Sequence, residues 1–261
     1  MMRKKNFGTV SGLFLGLVSI FGAYLMEGGS FKALFMLPAM IIVFGGTFAA
    51  VIIGFGFERF RKLFFLIKIA YFPRKYEVKK SIEIFSEMAI IIRRDGILAI
   101  EKQINRFDHY FPKKMMRYML DGATEDELEN LAGYEMKAMQ ERHFSNIFIF
   151  TKMGGYAPTM GILGTVMGLI MTLANAGSDP NLLIRNIASA FIATLWGVLS
   201  ANLFWLPVGD KLKQCHLEEK HLMEVVMEGV LALRSGEVPS LIKTRLASAL
   251  PPKEQEEMVV I

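Results

Sequence analysis

Residues Met153 to Ser178 read MGGYAPTMGILGTVMGLIMTLANAGS, an unbroken run without Asp, Glu, Lys, Arg or His. A helix of that length, rising about 1.5 Å per residue, crosses a hydrocarbon core of roughly 30 Å. Working outward, three further uncharged runs stand at Asn6 to Met26, Ala33 to Phe57 and Asn186 to Gly209. Of the 261 residues, 52% are hydrophobic and only 21% charged, and the charges avoid these four runs, a distribution that excludes one soluble domain with a large pocket. The fold class expected is an all-α integral membrane protein, with four transmembrane helices in two hairpins. A large helical cytoplasmic domain is expected between helices two and three, and a helical cytoplasmic tail at the C-terminus.

Orientation follows from the basic residues near the span ends, which resist translocation. Arg3, Lys4 and Lys5 precede span one, and eight Lys and Arg residues between Arg59 and Lys80 follow span two, whereas Lys32 and Arg185 stand alone in the two short links. Both termini are therefore expected in the cytoplasm. The first apolar run is read as a span and not as a cleavable signal, because it is too long for one and lacks a small-x-small site. The expected division is a membrane hairpin over 1–57 (spans at about 7–26 and 33–56), a cytoplasmic helical domain over 58–146, a second hairpin over 147–208 and a tail over 209–261 with a mobile end beyond Pro251.

Within the cytoplasmic part, 57–72 alternates aromatic and basic residues as an interfacial helix would, and Pro73 ends it. A helix is expected from Glu77 to Arg94, broken at Asp95-Gly96, and Asp121-Gly122 marks the next turn. Thr124-Glu125-Asp126-Glu127 is a capping box for the helix that enters span three.

The net charge of +5 is too small to mark a nucleic-acid partner. The lone Cys215 excludes an intramolecular disulfide and leaves the redox compartment open. Cys215, His216 and His221 have the wrong spacing for a metal site, and no metal is expected. There is no GxxxxGK[ST], HExxH or GxSxG, so neither nucleotide hydrolysis nor an enzyme of those classes is indicated.

The four uncharged runs hold no Asp, Glu, Lys, Arg or His, so this chain alone is not expected to run a proton relay. Gly161, Gly164, Thr165 and Gly168 fall on one face of span three, and Ala190, Thr194, Gly197 and Ala201 on one face of span four. Such smooth, hydroxyl-bearing faces either pack helices within the chain or form the wall of a path. Pro158 and Pro207, near the inner ends of these spans, each remove a backbone hydrogen bond.

The string Gly155-Tyr156-Ala157-Pro158-Thr159-Met160-Gly161-Ile162-Leu163-Gly164-Thr165-Val166-Met167-Gly168-Leu169 resembles the span-three signature of the MotA/PomA family, the flagellar motor stator subunits of the MotA/TolQ/ExbB superfamily. Thr194-Leu195-Trp196-Gly197 leading to Pro207 resembles that family's span-four pattern. Arg93-Arg94-Asp95-Gly96-Ile97-Leu98-Ala99-Ile100-Glu101 resembles its cytoplasmic motif. The resemblance implies a ring of five copies in the bacterial cytoplasmic (inner) membrane around two copies of a MotB/PomB-type protein. That partner's single membrane helix supplies the missing aspartate. By the same resemblance, Pro158, Gly161, Thr165, Gly168, Thr194, Gly197 and Pro207 line or shape the ion path, and Arg93, Arg94 and Glu101 meet the rotor switch protein FliG. No cofactor is implied. Thr165 and Thr194 match sodium-type members, while Ala190 to Leu195 is closer to proton-type ones. Na⁺ is preferred over H⁺, since hydroxyl oxygens suit a dehydrating hard cation. The alternative is an ExbB/TolQ-like energiser of envelope transport or a related non-flagellar rotary motor.

Overall fold

The computed structural model describes residues 7–175, Gly177 and residues 179–259. The basic start Arg3-Lys4-Lys5 and the loop residues Ala176 and Ser178 lie outside the described residues. The described chain is all helical, and four helical stretches are long and apolar enough to cross a membrane. The expected fold class is thus the one adopted.

Contacts divide the described residues into two units, one built from 7–74 and 143–214, the other from 75–142 and 215–259. In the first unit, α1 (Phe7–Met26) is the first span, and none of its described side chains is buried. After the short helix α2 (Phe31–Leu34) comes the second span, which is less regular than its apolar run suggests. It is assembled from α3 (Leu37–Met40), a π-helical turn Ile41–Gly45 and α4 (Gly46–Phe55). A π-turn leaves a backbone carbonyl poorly matched, and the fully buried Thr47 hydroxyl donates to the Val43 carbonyl at 2.6 Å.

Helix α5 (Phe57–Tyr71) is the expected amphipathic segment, starting after Gly56 at φ 80° and stopping before Pro73. Its Leu63, Leu66 and Ala70 are buried with Val51, Ile149, Phe150, Met153 and Trp205. Its polar side keeps Arg59, which donates to the Ser145 hydroxyl at 2.6 Å. The third span belongs to α8 (Glu125–Ala174), 50 residues long. The fourth comprises α9 (Pro180–Ser200), a π-helical turn Ala201–Trp205 and the start of α10 (Leu206–Arg234). Asp179 caps α9 by accepting from the Asn181 amide at 2.9 Å. Sequence placed a proline defect at Pro207, and the π-turn directly before it is where the helix absorbs the ring and the missing N–H.

Trp196 of α9 binds the spans together. Its indole N–H donates to the Leu34 carbonyl at 2.8 Å. Phe21, Phe35 and Phe44 surround the indole at ring separations of 6.4, 5.6 and 6.2 Å.

In the second unit, α6 (Val78–Asp95) ends at Gly96, whose φ of 85° only glycine adopts without strain. A 3₁₀ segment Ile97–Arg106 follows, then α7 (Tyr110–Leu120). Phe85, Met88, Ile100, Phe111, Met115, Met116 and Val226 form the centre of this unit's core. A Cβ at Gly229 of α10 would lie 2.8 Å from the Phe85 ring, so glycine lets the two helices close on that phenyl group. His109 caps α7: its Nδ1 accepts the Phe111 N–H at 3.3 Å, which leaves Nε2 to face the Glu219 carboxylate at 3.2 Å. Tyr76 donates to the other oxygen of Glu219 at 2.8 Å.

Of the end beyond Pro251, the described residues form a helix. After α11 (Pro239–Ala247), α12 (Pro252–Val259) buries Met258 in the core and pairs Glu257 with Lys79 at 2.9 Å. Its acidic composition concealed one buried methionine and a basic neighbour contributed by α6.

The capping box forms as expected: the Thr124 hydroxyl accepts the Glu127 N–H at 3.3 Å, and the Glu127 carboxylate accepts the Thr124 N–H at 2.8 Å. Those hydrogen bonds hold the Glu127 carboxyl below its usual range. The bond from Glu127 is therefore complete above the unfolded glutamate value and lost as pH falls through the depressed folded value. Replacing Thr124→Ala should lower stability by about 1 kcal/mol, read as a fall in the thermal unfolding midpoint of the detergent-solubilised protein at neutral pH. The difference from the unsubstituted protein should shrink in acid.

Candidate ion path and charged tip

The two small faces meet each other. A Cβ on Gly161 would lie 2.9 Å from the Ala193 carbonyl oxygen and 3.1 Å from the Thr194 Cα. One on Gly197 would lie 2.7 Å from the Ala157 carbonyl oxygen, 3.1 Å from the Gly161 Cα and 3.3 Å from the Pro158 Cα. Farther along, one on Gly168 would lie 2.8 Å from the Ala190 Cβ. These are obstacles of backbone and short side chains that cannot swing away. Gly161, Gly168 and Gly197 thus hold α8 against α9, which is the packing alternative that the sequence left open for small faces. Pro158 is half-buried at the same crossing, and Pro207 is exposed.

The hydroxyls lie within this crossing. Thr165 Oγ1 is 3.2 Å from the Gly161 carbonyl oxygen and 3.1 Å from that of Ala190, and it is hydrogen-bonded to Thr194 Oγ1. Thr194 Oγ1 also lies 3.5 Å from the Gly161 carbonyl oxygen. Two hydroxyls carry two protons: one joins the threonines and the other goes to a carbonyl. Both donors are therefore satisfied inside the hairpin, and the oxygens keep lone pairs for an electropositive guest. Both threonines are half-buried. Beside this face α8 exposes Ile162, Val166, Leu169 and Leu173, an apolar surface suited to lipid or another membrane helix.

In the other unit, the motif residues form one turn. Ile100 and Ile104 are buried and anchor the 3₁₀ segment, while Arg93, Arg94 and Glu101 are exposed. Arg94 is committed to Asp95 through three contacts of 3.0, 3.0 and 2.8 Å. Arg94 in turn holds the Asp95 carboxyl below its ordinary range. Among the described residues, Arg93 and Glu101 take part in no hydrogen bond or ion pair. Some other charges of this unit are matched, Lys80 with Asp108 at 2.8 Å and Lys114 with Glu135. The two arginines, ambiguous in sequence, thus differ: one charge is neutralised and the other is free.

Among the described residues, no cluster of three or more His, Cys, Asp or Glu could hold a metal ion. His216 is buried, and His221 Nε2 lies 3.1 Å from the Ala249 carbonyl oxygen. In the sequence Trp196 stands only as part of the span-four pattern, and Thr172 and Asn186 lie outside the motifs, so nothing local marks the contacts that these three side chains make.

Comparison with known proteins places this geometry. Residues 103–225 match the MotA/TolQ/ExbB proton channel family, and residues 10–95 match the motility protein A N-terminal family. Motility protein A of Bacillus subtilis (strain 168) is 35% identical over 245 residues, spanning 94% of this chain and 90% of that protein. The chain belongs to the motility protein A family. Two solved structures have the same fold as this family member. That of the flagellar MotAB stator complex from Bacillus subtilis superposes with a TM-score of 0.89 at 33% identity, covering 96% of this chain and 98% of that one. That of MotAB from C. jejuni gives 0.88 at 25% identity, covering 95% and 96%. A motility protein A is a multi-pass membrane protein of a channel family and not an enzyme.

Because backbone obstructs any Cβ at the crossing, Gly197→Val should destabilise by about 1 to 3 kcal/mol. Gly133→Ala, at a position of α8 with open space around it, should be neutral or stabilising by up to about 1 kcal/mol. Thermal unfolding of the two purified variants in detergent tests this contrast; equal behaviour would contradict the close crossing.

Proposed function

We propose that this chain is a stator subunit of a bacterial flagellar motor and that, with a MotB/PomB-type partner, it converts ion flow across the cytoplasmic membrane into torque. The observation that carries this is a mismatch within the chain. A member of a channel family has four uncharged runs without an ionisable side chain, yet it presents a half-buried pair of hydroxyl oxygens in hydrocarbon. The titrating carboxylate must come from another polypeptide. Among relatives, the structure named as a MotAB stator complex supplies the class of partner. A carboxylate entering that environment has its pKa raised by desolvation until a cation reaches it, which makes its charge follow ion passage.

In this proposal five copies surround two partner helices, and both termini are cytoplasmic, in keeping with the basic flanks of the spans. Thr165 and Thr194 face the ion path, Pro158 and Pro207 shape its inner end, and Gly161, Gly168 and Gly197 set the wall's thickness. Residues 58–146 form the torque domain. Arg93 and Glu101 engage the rotor protein FliG, since unpaired charges gain most from an oppositely charged surface. Arg94, held by Asp95, contributes less. The matched N-terminal motility family over residues 10–95 favours a motility stator over an ExbB/TolQ-like energiser.

Arg93→Glu or Glu101→Lys should impair swimming while the chain still reaches the membrane and copurifies with its partner. Arg94→Ala should have a smaller effect than Arg93→Ala. Normal swimming in both charge reversals would remove the rotor assignment.

The matched family is described as one of proton channels, whereas the threonine pair offers hard oxygen ligands; Na⁺ is the coupling ion we propose. Swimming speed should then rise with external NaCl at fixed pH. Speed that ignores NaCl and collapses with a protonophore would show proton coupling.

A further inference from the structure

Eight residues before Thr194 on α9, roughly 12 Å along the helix axis, stands Asn186. Its Nδ2 is enclosed by protein and meets no hydrogen-bond acceptor among the described residues. The amide oxygen of the same side chain takes no hydrogen bond from them either. The backbone here is as tightly placed as at the main crossing: a Cβ on Gly168 would lie 3.1 Å from the Asn186 carbonyl oxygen. Thr172 stands at the same level of α8, its hydroxyl donating to the Gly168 carbonyl at 2.8 Å and keeping its lone pairs.

An amide in a membrane helix pair ordinarily bonds across to its neighbour, and that gain is what offsets its transfer from water. Among the described residues Asn186 makes no such bond, so packing between them does not explain the residue; an apolar side chain would fill the place without an unmatched donor. What the amide also offers is a carbonyl-type oxygen with no donor on it among the described residues, a hard ligand for a cation and an acceptor for its water. We propose that Asn186, seconded by Thr172, is a second oxygen station of the ion path, where the incoming cation exchanges part of its water before it reaches Thr165 and Thr194. This rests on the ion-conducting function proposed above.

The test uses the chain co-expressed with its single-span partner in motile cells. Swimming speed is measured against external NaCl at fixed pH, and against pH at fixed NaCl. Asn186→Leu, which keeps volume and removes the oxygen, should raise the half-saturating concentration of whichever ion drives the motor. The rise should be about fivefold, the factor for one lost hydrogen-bond-strength contact, with a smaller change in maximal speed. Asn186→Asp, which keeps a carboxyl oxygen, should remain closer to the unsubstituted chain. Copurification with a tagged partner establishes assembly, and Asn186→Ser replaces the leucine variant if that fails. Unchanged half-saturation in the assembled leucine or serine variant, with ordinary ion dependence in the unsubstituted complex, would overturn the role of Asn186 alone. Speed independent of both ions in the unsubstituted complex would overturn the parent proposal as well.

Discussion

The closeness of two backbones is the constraint on which the membrane unit depends. Where α8 crosses α9, Gly161 and Gly197 stand against each other's chain, with no room for a methyl group on either. Hydrophobic burial does not drive this contact in a bilayer, because lipid is as apolar as a leucine surface; van der Waals contact and hydrogen bonds between helices do. Glycine permits the approach, and the approach in turn brings the Thr165 and Thr194 hydroxyls together with the Gly161 and Ala190 carbonyls. The polar element of this hairpin is thus a product of its tightest packing.

A second economy governs charge. The membrane runs exclude it, and the other unit pairs part of what it has: Lys79 with Glu257, Lys80 with Asp108, Lys114 with Glu135. Exposed pairs of this kind contribute little stability each, about 0 to 1 kcal/mol. Their functional effect is to determine which charges stay available to a partner. The turn at Gly96, held by buried Ile100, leaves Arg93 and Glu101 unpaired and ties Arg94 to Asp95.

Several features were legible because they follow from local chemistry. Lack of charge over a bilayer's thickness announces a span, Thr124 and Glu127 announce a helix start, and Asp95-Gly96 announces a stop; each depends on residues adjacent in sequence or one turn apart. Other features were not. Whether Gly161 lines a path or packs a helix depends on which helix lies opposite. The fate of the acidic end depends on Lys79 and on a core pocket for Met258, both remote in sequence. The π-turns at Ile41–Gly45 and Ala201–Trp205 leave no compositional mark except the nearby Pro207.

Sequence alone determined that the chain is helical, spans a membrane four times and lacks an acid of its own within the uncharged runs, because transfer of charge and of unpaired backbone into hydrocarbon costs too much for any other arrangement. Only the tertiary structure decided which polar groups are already satisfied and which remain open. It matched the threonines to each other, Arg94 to Asp95, and left the Asn186 amide without an acceptor among the described residues. Hydrogen bonding and ion pairing act over a few ångströms between residues far apart in the chain, so their outcome exists only once the helices have been brought into contact.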